Sequence, residues 1–274
     1  MDLLTLDDGI TLTHDSDFDG WLTAVFVCYE QKYTDRATLV CRHQYAPQFF
    51  GTVMDVTTDP AKAERVLTKL TQTLGKDGIR QLMWAYLSEF DYIPNVLFGV
   101  VKYALANPTK NILKDHAHPD VMTLHQTVKS VGRERHRIKA FVRFEHTTDG
   151  VYFAKINPDF NVLPLITNHF KARYQDQDFA IYDIKRGYGI LSRQGDTDVQ
   201  MIVGIDDDVL ADSRSVWSDD EARYQRFWQG YFANVTIKER INSKLHKQYL
   251  PVRYWRYLSE KQVRGDEDFL KKKR

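Results

Sequence analysis

Residues 134–189 read ERHRIKAFVRFEHTTDGVYFAKINPDFNVLPLITNHFKARYQDQDFAIYDIKRGYG, and this stretch decides the fold. Residues 138–145 are rich in aromatic and β-branched side chains, and residues 151–156 repeat that character. Between them, residues 147–150 (TTDG) have the composition of a tight turn. The pattern predicts two strands that pair as an antiparallel hairpin.

A helix and two further strands are expected in the same stretch. Residues 157–159 (Asn-Pro-Asp) interrupt the second strand, and apolar residues then recur at helical spacing over 162–174. Residues 179–184 and 188–191 have strand character on either side of a Lys-Arg-Gly turn. The unit over residues 138–191 is therefore predicted to be β-β-α-β-β, an antiparallel sheet backed by its helix.

The region before this unit is predicted to be mainly helical. An Asp-Gly dipeptide ending at Gly9 indicates a short hairpin, and a strand is expected near residue 40. Asp17 or Asp19 can cap a following helix, and four more apolar stripes at helical spacing extend to Val128.

The region after the unit, residues 221–274, is predicted to hold a C-terminal helical pair. Aromatic residues from Tyr224 onward recur at helical spacing, which places Trp228 and Phe232 in the core. We therefore expect a single compact α+β domain over residues 1–274, in which the antiparallel sheet packs with both helical regions.

Composition favours a soluble globular protein of the cytoplasm. The chain has 274 residues, 43% of them hydrophobic, which is enough for a substantial core. Apolar runs are too short for a membrane span, and residues 1–10 lack the features of a signal peptide. The two cysteines, Cys28 and Cys41, form neither a CxxC pair nor a cluster-binding set, so no metal or other cofactor is expected.

Charge is distributed unevenly although the net charge is only +1. Residues 1–30 carry seven acidic and no basic side chains, whereas residues 223–274 carry fourteen basic and five acidic ones. Residues 196–221 are again acidic, and residues 129–143 are basic. Two basic segments could therefore attract phosphates, or they could pair with the acidic segments.

The first basic segment supplies candidate phosphate contacts. In a strand, alternation places Arg137, Lys139 and Arg143 on one face of the sheet. Lys185 and Arg186 add two cations beside a glycine turn. The alternative is a solvated face paired to acidic residues, or for the turn an ordinary hairpin.

The second basic segment mixes cations with aromatic rings, a combination that binds phosphates while stacking on bases. Core packing is the alternative for its aromatic residues. The candidates for nucleic-acid binding here are Lys247, Arg253, Trp255 and Arg256.

Acid–base chemistry has weaker candidates in Asp159 and His169. They stand ten residues apart around a predicted helix start, so the spacing implies no direct pair. Asp159 could simply cap that helix, and His169 could be a packed histidine. His116, His118 and Asp120 crowd around a proline, but no zinc or two-metal signature accompanies them, and we expect no metal site.

Several segments resemble a family of bacterial proteins that are assigned to DNA metabolism or DNA repair and whose function is undefined. They are residues 17–26 (DFDGWLTAVF), 134–144 (ERHRIKAFVRF), 156–170 (INPDFNVLPLITNHF) and 227–260, above all LPVRYWRYLSE at 250–260. The resemblance implies a gene neighbour encoding a radical S-adenosylmethionine protein, and in some members a fused uracil-DNA glycosylase-like domain.

These observations lead to one main hypothesis and two alternatives. The main hypothesis is an accessory protein of DNA metabolism that binds nucleic acid or a DNA-modifying radical S-adenosylmethionine partner. The alternatives are an enzyme that acts on nucleic acid through an unrecognised site, and a structural adaptor. A continuous basic surface favours the first, and a pocket with perturbed titratable groups favours an enzyme.

Overall fold

The protein's structure, a computed structural model, describes residues 9–47, 51–235 and 243–261. The chain groups into two compact units, Met1–Gly132 and Arg133–Arg274. Each combines helices with a β-sheet, which confirms the α+β class. The expectation of one domain over the whole chain stays a prediction. In the described ranges, every helix is too short or too polar to cross a bilayer.

The first unit contains a three-stranded parallel sheet. β1 (Ile10–His14) lies between β2 (Ala37–Cys41) and β3 (Thr52–Val56), and all three strands run in the same direction. α1 (Phe18–Glu30) joins β1 to β2, since parallel neighbours need a crossover connection. Residues 1–8, the other arm of the expected N-terminal hairpin, lie outside the described residues.

α1 begins where the sequence predicts. The Asp17 carboxylate caps it by accepting a hydrogen bond from the Gly20 backbone N–H at 2.5 Å. Trp21 is fully buried, and its indole N–H donates to the Pro94 carbonyl at 3.0 Å. The first turn of α1 is thus fixed both by its cap and by the core.

Three longer helices follow: α2 (Pro60–Tyr86), α3 (Ile93–Ala106) and α4 (Pro119–Phe141). Two of the predicted stripes fall within α2, which is interrupted at Gly75. That residue has φ 72°, a left-handed conformation that glycine adopts without steric cost.

α4 continues through the segment predicted as the first strand of the hairpin. Its buried residues Val121, Leu124, Val131 and Ile138 are separated by three or seven positions, which keeps them on one helical face. This periodic burial outweighs the β-propensity of the residues around Ile138. The strand expected over 138–145 is therefore wrong, apart from the end of the segment at β4 (Glu145–His146).

The second unit contains a five-stranded mixed sheet in the order β4-β5-β6-β7-β8. Its further strands are β5 (Tyr152–Ile156), β6 (Phe179–Asp183), β7 (Tyr188–Ser192) and β8 (Gln200–Val203). β4 pairs antiparallel with β5, as the hairpin prediction requires, but β5 and β6 are parallel. The wholly antiparallel sheet is therefore wrong. α5 (Leu163–Arg173) connects β5 to β6. A helical crossover of this kind joins two strands that run in the same direction.

The C-terminal region is helical in its described residues, as predicted. α6 (Asp207–Ala211) follows the sheet, and α7 (Glu221–Val235) and α8 (Ser243–Tyr249) form the expected helices. Trp228 is 40% exposed, so its assignment to the core is wrong. The side chain of Phe232 lies outside the described residues.

Candidate nucleic-acid interface

Arg253 lies at the centre of an ion-pair network in the second unit. Its Nη2 donates to Glu134 Oε2 at 2.5 Å and to the Tyr254 hydroxyl at 2.8 Å, and its Nη1 contacts Asp159. Glu134 is almost fully buried and also accepts the Asp159 backbone N–H at 3.0 Å. Arg253, expected to contact phosphates, instead joins α4, the loop before α5 and the C-terminal segment.

Lys185 and Arg186 hold the same loop from a second side. Lys185 Nζ donates to the Asp159 carbonyl at 3.0 Å, and Arg186 Nη1 donates to the Pro158 carbonyl at 3.3 Å and to Asp183 Oδ2 at 2.8 Å. Burial raises the pKa of Asp183, although Arg186 opposes this shift. Both cations therefore make structural contacts. The N-cap of α5 is Val162 and not Asp159, whose carboxylate pairs with Arg253.

Arg143 forms a second pair with Glu260. Its Nη2 donates to Glu260 Oε1 at 2.7 Å, and its guanidinium lies 5.7 Å from the centre of the Trp228 ring. The Trp228 indole N–H donates to the other Glu260 oxygen at 2.9 Å. Burial alone would raise the pKa of Glu260, but the hydrogen bonds from Arg143 and Trp228 hold it below its usual value.

A group of basic side chains gathers where α4 and α5 lie together. Arg135 and Lys139 are four residues apart on α4, and His169 and Arg173 are four residues apart on α5, so each pair shares one helical face. Arg135 Nε donates to the Leu165 carbonyl at 3.2 Å, which links the two helices. We call these four residues the α4–α5 basic cluster.

The positive charges of the α4–α5 basic cluster repel one another. Desolvation and the charges of Lys139, Arg173 and Arg135 lower the pKa of His169. Desolvation and the Arg135 charge lower the pKa of Lys139. The predicted residues Lys139 and His169 are thus brought together in a positive field.

Arg137 does not join this group as expected. In a strand it would share a face with Lys139, but in α4 two residues are separated by about 200° around the helix axis. The helix instead places Arg135 and Lys139, four residues apart, on one face without Arg137.

The remaining predicted cations and aromatics lie in the C-terminal region. Lys247 is exposed on α8, and Arg256 is exposed with its guanidinium 4.7 Å from the centre of the Tyr257 ring. The Trp255 indole N–H donates to the Leu250 carbonyl at 3.0 Å, and Lys261 Nζ lies 5.3 Å from the centre of its ring. Trp255 therefore packs locally, as the alternative to base stacking required.

The second unit also contains an open cleft of about 670 Å³. Arg143, from the first predicted basic segment, and Arg256, from the second, both line it. Lys155 also lines the cleft, and its Nζ donates to the Ser213 hydroxyl at 3.1 Å and to the Leu210 carbonyl at 3.2 Å. Ser213 in turn donates to Glu145. Sequence reasoning missed Lys155 and Ser213, which are 58 residues apart and carry no motif.

These elements fall largely inside one sequence match. Residues 91–260 match the family described as a domain of unknown function, DUF4130, and this range is more than half of the chain. The chain belongs to the DUF4130 family. No curated protein matches it. The DUF4130 region includes every cation of the α4–α5 basic cluster and all the residues that line the cleft. Three of the segments that suggested a family resemblance lie inside the DUF4130 region, and residues 17–26 lie before it.

The His116, His118 and Asp120 group has local partners instead of a metal-like arrangement. The His118 ring stacks on Tyr103 at 4.2 Å, and the Tyr103 hydroxyl donates to Asp115 at 2.6 Å. Across residues 9–47, 51–235 and 243–261, no three His, Cys, Asp or Glu side chains are placed to hold a metal ion.

Proposed function

We propose that this DUF4130 protein is an accessory protein of DNA metabolism that binds nucleic acid through backbone phosphates. The observation that carries the proposal is the α4–α5 basic cluster, in which four basic side chains share the adjoining faces of two helices, and in which desolvation and then neighbouring positive charge lower the pKa values of Lys139 and His169. Like charges held close together repel one another, whereas a phosphate placed among them is attracted to each of them. The cluster therefore favours an anionic ligand.

The form of the ligand follows from the spacing of the cations. Two pairs at i and i+4 on adjacent helices present several donors over a surface instead of converging on one buried point. Such a surface suits a chain of phosphates, since contacts to phosphates position a strand without reading its sequence. Binding should therefore be weakly dependent on sequence.

Titration of the purified protein with labelled oligonucleotides tests the proposal directly. We expect affinity to fall steeply with salt, with log K declining by about 0.7 to 0.9 per log unit of salt for each phosphate neutralised. Fluorescence anisotropy with single- and double-stranded DNA and RNA at several salt concentrations provides the measurement. An absence of binding to all four forms at low salt would refute the proposal.

Affinity should also rise as the pH falls through the ordinary histidine range. The free protein has a lowered His169 pKa, so the imidazole is mostly neutral at pH 7. A nearby phosphate favours the protonated form, and binding must then take up a proton. Binding isotherms between pH 8 and 6 should show this trend in the wild type, and His169→Ala should weaken it. A pH profile that is identical in the two proteins would exclude His169 from the interface.

A protein partner is the second candidate, and an exposed aromatic face favours it. Tyr224, Phe227 and Tyr231 on α7 are 61%, 61% and 59% exposed, a concentration of large rings typical of binding surfaces. The family resemblance points to a radical S-adenosylmethionine protein as that partner. Co-elution of the two proteins in gel filtration, lost in Phe227→Ser, would support it. Separate elution at micromolar concentration would count against it.

A further inference from the structure

We infer that the cleft in the second unit accepts one unpaired nucleotide, so that the protein holds a base in addition to the phosphate backbone. This inference rests on the proposed function, which it deepens by giving the strand a second point of contact. It is argued from the charge, the hydrogen-bonding groups and the aromatic rings that line the cleft.

The charge of the cleft limits the ligand. Its lining carries four cations, Arg143, Lys155, Arg214 and Arg256, against the carboxylates of Glu145, Asp207 and Asp212. Glu260 already pairs with Arg143, and Asp212 with Arg214. A nearly balanced site of this kind suits at most one phosphate, unlike the α4–α5 basic cluster. Arg256 is exposed at the cleft beside the Tyr257 ring, and we assign the contact with that phosphate to it.

Two residues that line the cleft, Lys155 and Glu145, offer a hydrogen-bond donor next to a hydrogen-bond acceptor. The Lys155 ammonium has three protons, and the Leu210 carbonyl and the Ser213 hydroxyl accept two of them. The Glu145 carboxylate accepts the Ser213 proton on Oε2, and a carboxylate has further acceptor capacity on its other oxygen. An adjacent donor and acceptor match the edge of a nucleobase, which likewise presents one of each side by side.

Two aromatic residues complete the site. Trp217 and Tyr257 line the cleft and provide rings on which a base can stack. Within the part of the chain that the structure describes, the Trp217 indole N–H is buried and meets no acceptor. A buried donor without an acceptor costs free energy in the folded protein, and a ligand with an acceptor group would supply the missing hydrogen bond.

The test uses the fluorescent base 2-aminopurine, placed in a single-stranded oligonucleotide and supplied separately as the free nucleoside monophosphate. Stacking in the cleft should quench its emission when the wild-type protein binds. Lys155→Met should abolish the quenching. It should also lower affinity for the free nucleotide by about tenfold, the effect of one hydrogen bond to a charged group. Glu145→Gln keeps the shape of the side chain, so it tests the same site if Lys155→Met does not fold.

The outcomes separate the two proposals. If the strand binds with its usual salt dependence but neither variant changes the quenching, the cleft inference is wrong and the proposed function stands. In a second outcome, no strand binds, but the free nucleotide binds and Lys155→Met weakens that binding. The cleft inference then stands and the proposed function is wrong. If emission of the bound strand is unchanged and no free nucleotide binds, the cleft inference is overturned. Lys129→Ala, an exposed lysine on α4 outside the cleft, is the control and should behave as the wild type.

Discussion

Replacing Arg253 with alanine is expected to lower the free energy of unfolding by about 3 to 5 kcal/mol, the usual effect of leaving a buried charge without its partner. Glu134 has a side chain that is only 2% exposed, and Arg253 donates to it at 2.5 Å. The same guanidinium contacts Asp159, so the substitution also loosens the loop before α5. Urea denaturation monitored by circular dichroism measures the change.

Three further variants identify the origin of that loss. Lys247→Ala removes an exposed cation from the same region and should change stability by less than about 0.5 kcal/mol. Combining Arg253→Met with Glu134→Gln removes both charges and should recover part of the stability that Arg253→Met alone loses. If Arg253→Ala is as stable as the wild type, the pair does not hold this unit together, and Arg253 becomes available again as a phosphate contact.

Sequence periodicity predicts much of this fold but places one boundary wrongly. The apolar stripe that predicts the start of α4 does not end at Val128, because Val131 and Ile138 continue it at helical spacing. Aromatic and β-branched residues after Ile138 favoured a strand, and tertiary burial overrode that preference. This error places Lys139 on a sheet face instead of on α4, where it lies one helical turn from Arg135.

The parallel pairing of β5 with β6 could have been predicted. Apolar periodicity predicts a helix between the two strands, and a helical crossover normally joins parallel strands. By contrast, the pairing of Arg253 with Glu134 spans 119 residues of sequence. Spacing carries no information about such a contact. The basic segments named the candidate cations, and the fold shows which of them, such as Arg253 and Arg186, make contacts within the structure.

A purely structural role must also be considered for the α4–α5 basic cluster, because two of its cations lie at helix ends. Lys139 and Arg173 lie in the last turns of their helices, where a cation interacts favourably with the helix dipole by about 0.3 to 1 kcal/mol. Repulsion between like charges at i and i+4 costs about 0.2 to 0.5 kcal/mol per pair. The two effects nearly cancel, so the stability of the free protein gives little reason to keep these cations.

The double variant Lys139→Gln/Arg173→Gln should therefore separate binding from folding. Loss of two charged hydrogen bonds to phosphate, at about 1.5 kcal/mol each, should weaken nucleic-acid binding about 100-fold at low salt. The salt slope should fall by about two units, one for each contact removed. The free energy of unfolding should change by less than about 0.5 kcal/mol, because the dipole and repulsion effects offset each other. Anisotropy titrations measure the affinity and the salt slope, and urea denaturation of the same preparation measures the free energy of unfolding.

The pH dependence of stability supplies an independent check on the same variant. His169 has a lowered pKa in the folded protein, so the folded state resists protonation and loses stability as the pH falls below about 6.5, the unfolded value. Removing the Lys139 and Arg173 charges takes away two causes of that shift, and the loss of stability on acidification should become smaller. Lys129→Ala should keep the wild-type affinity, salt slope and acid sensitivity. A double variant that unfolds readily yet binds with undiminished affinity would assign the cluster to folding and exclude it from the interface.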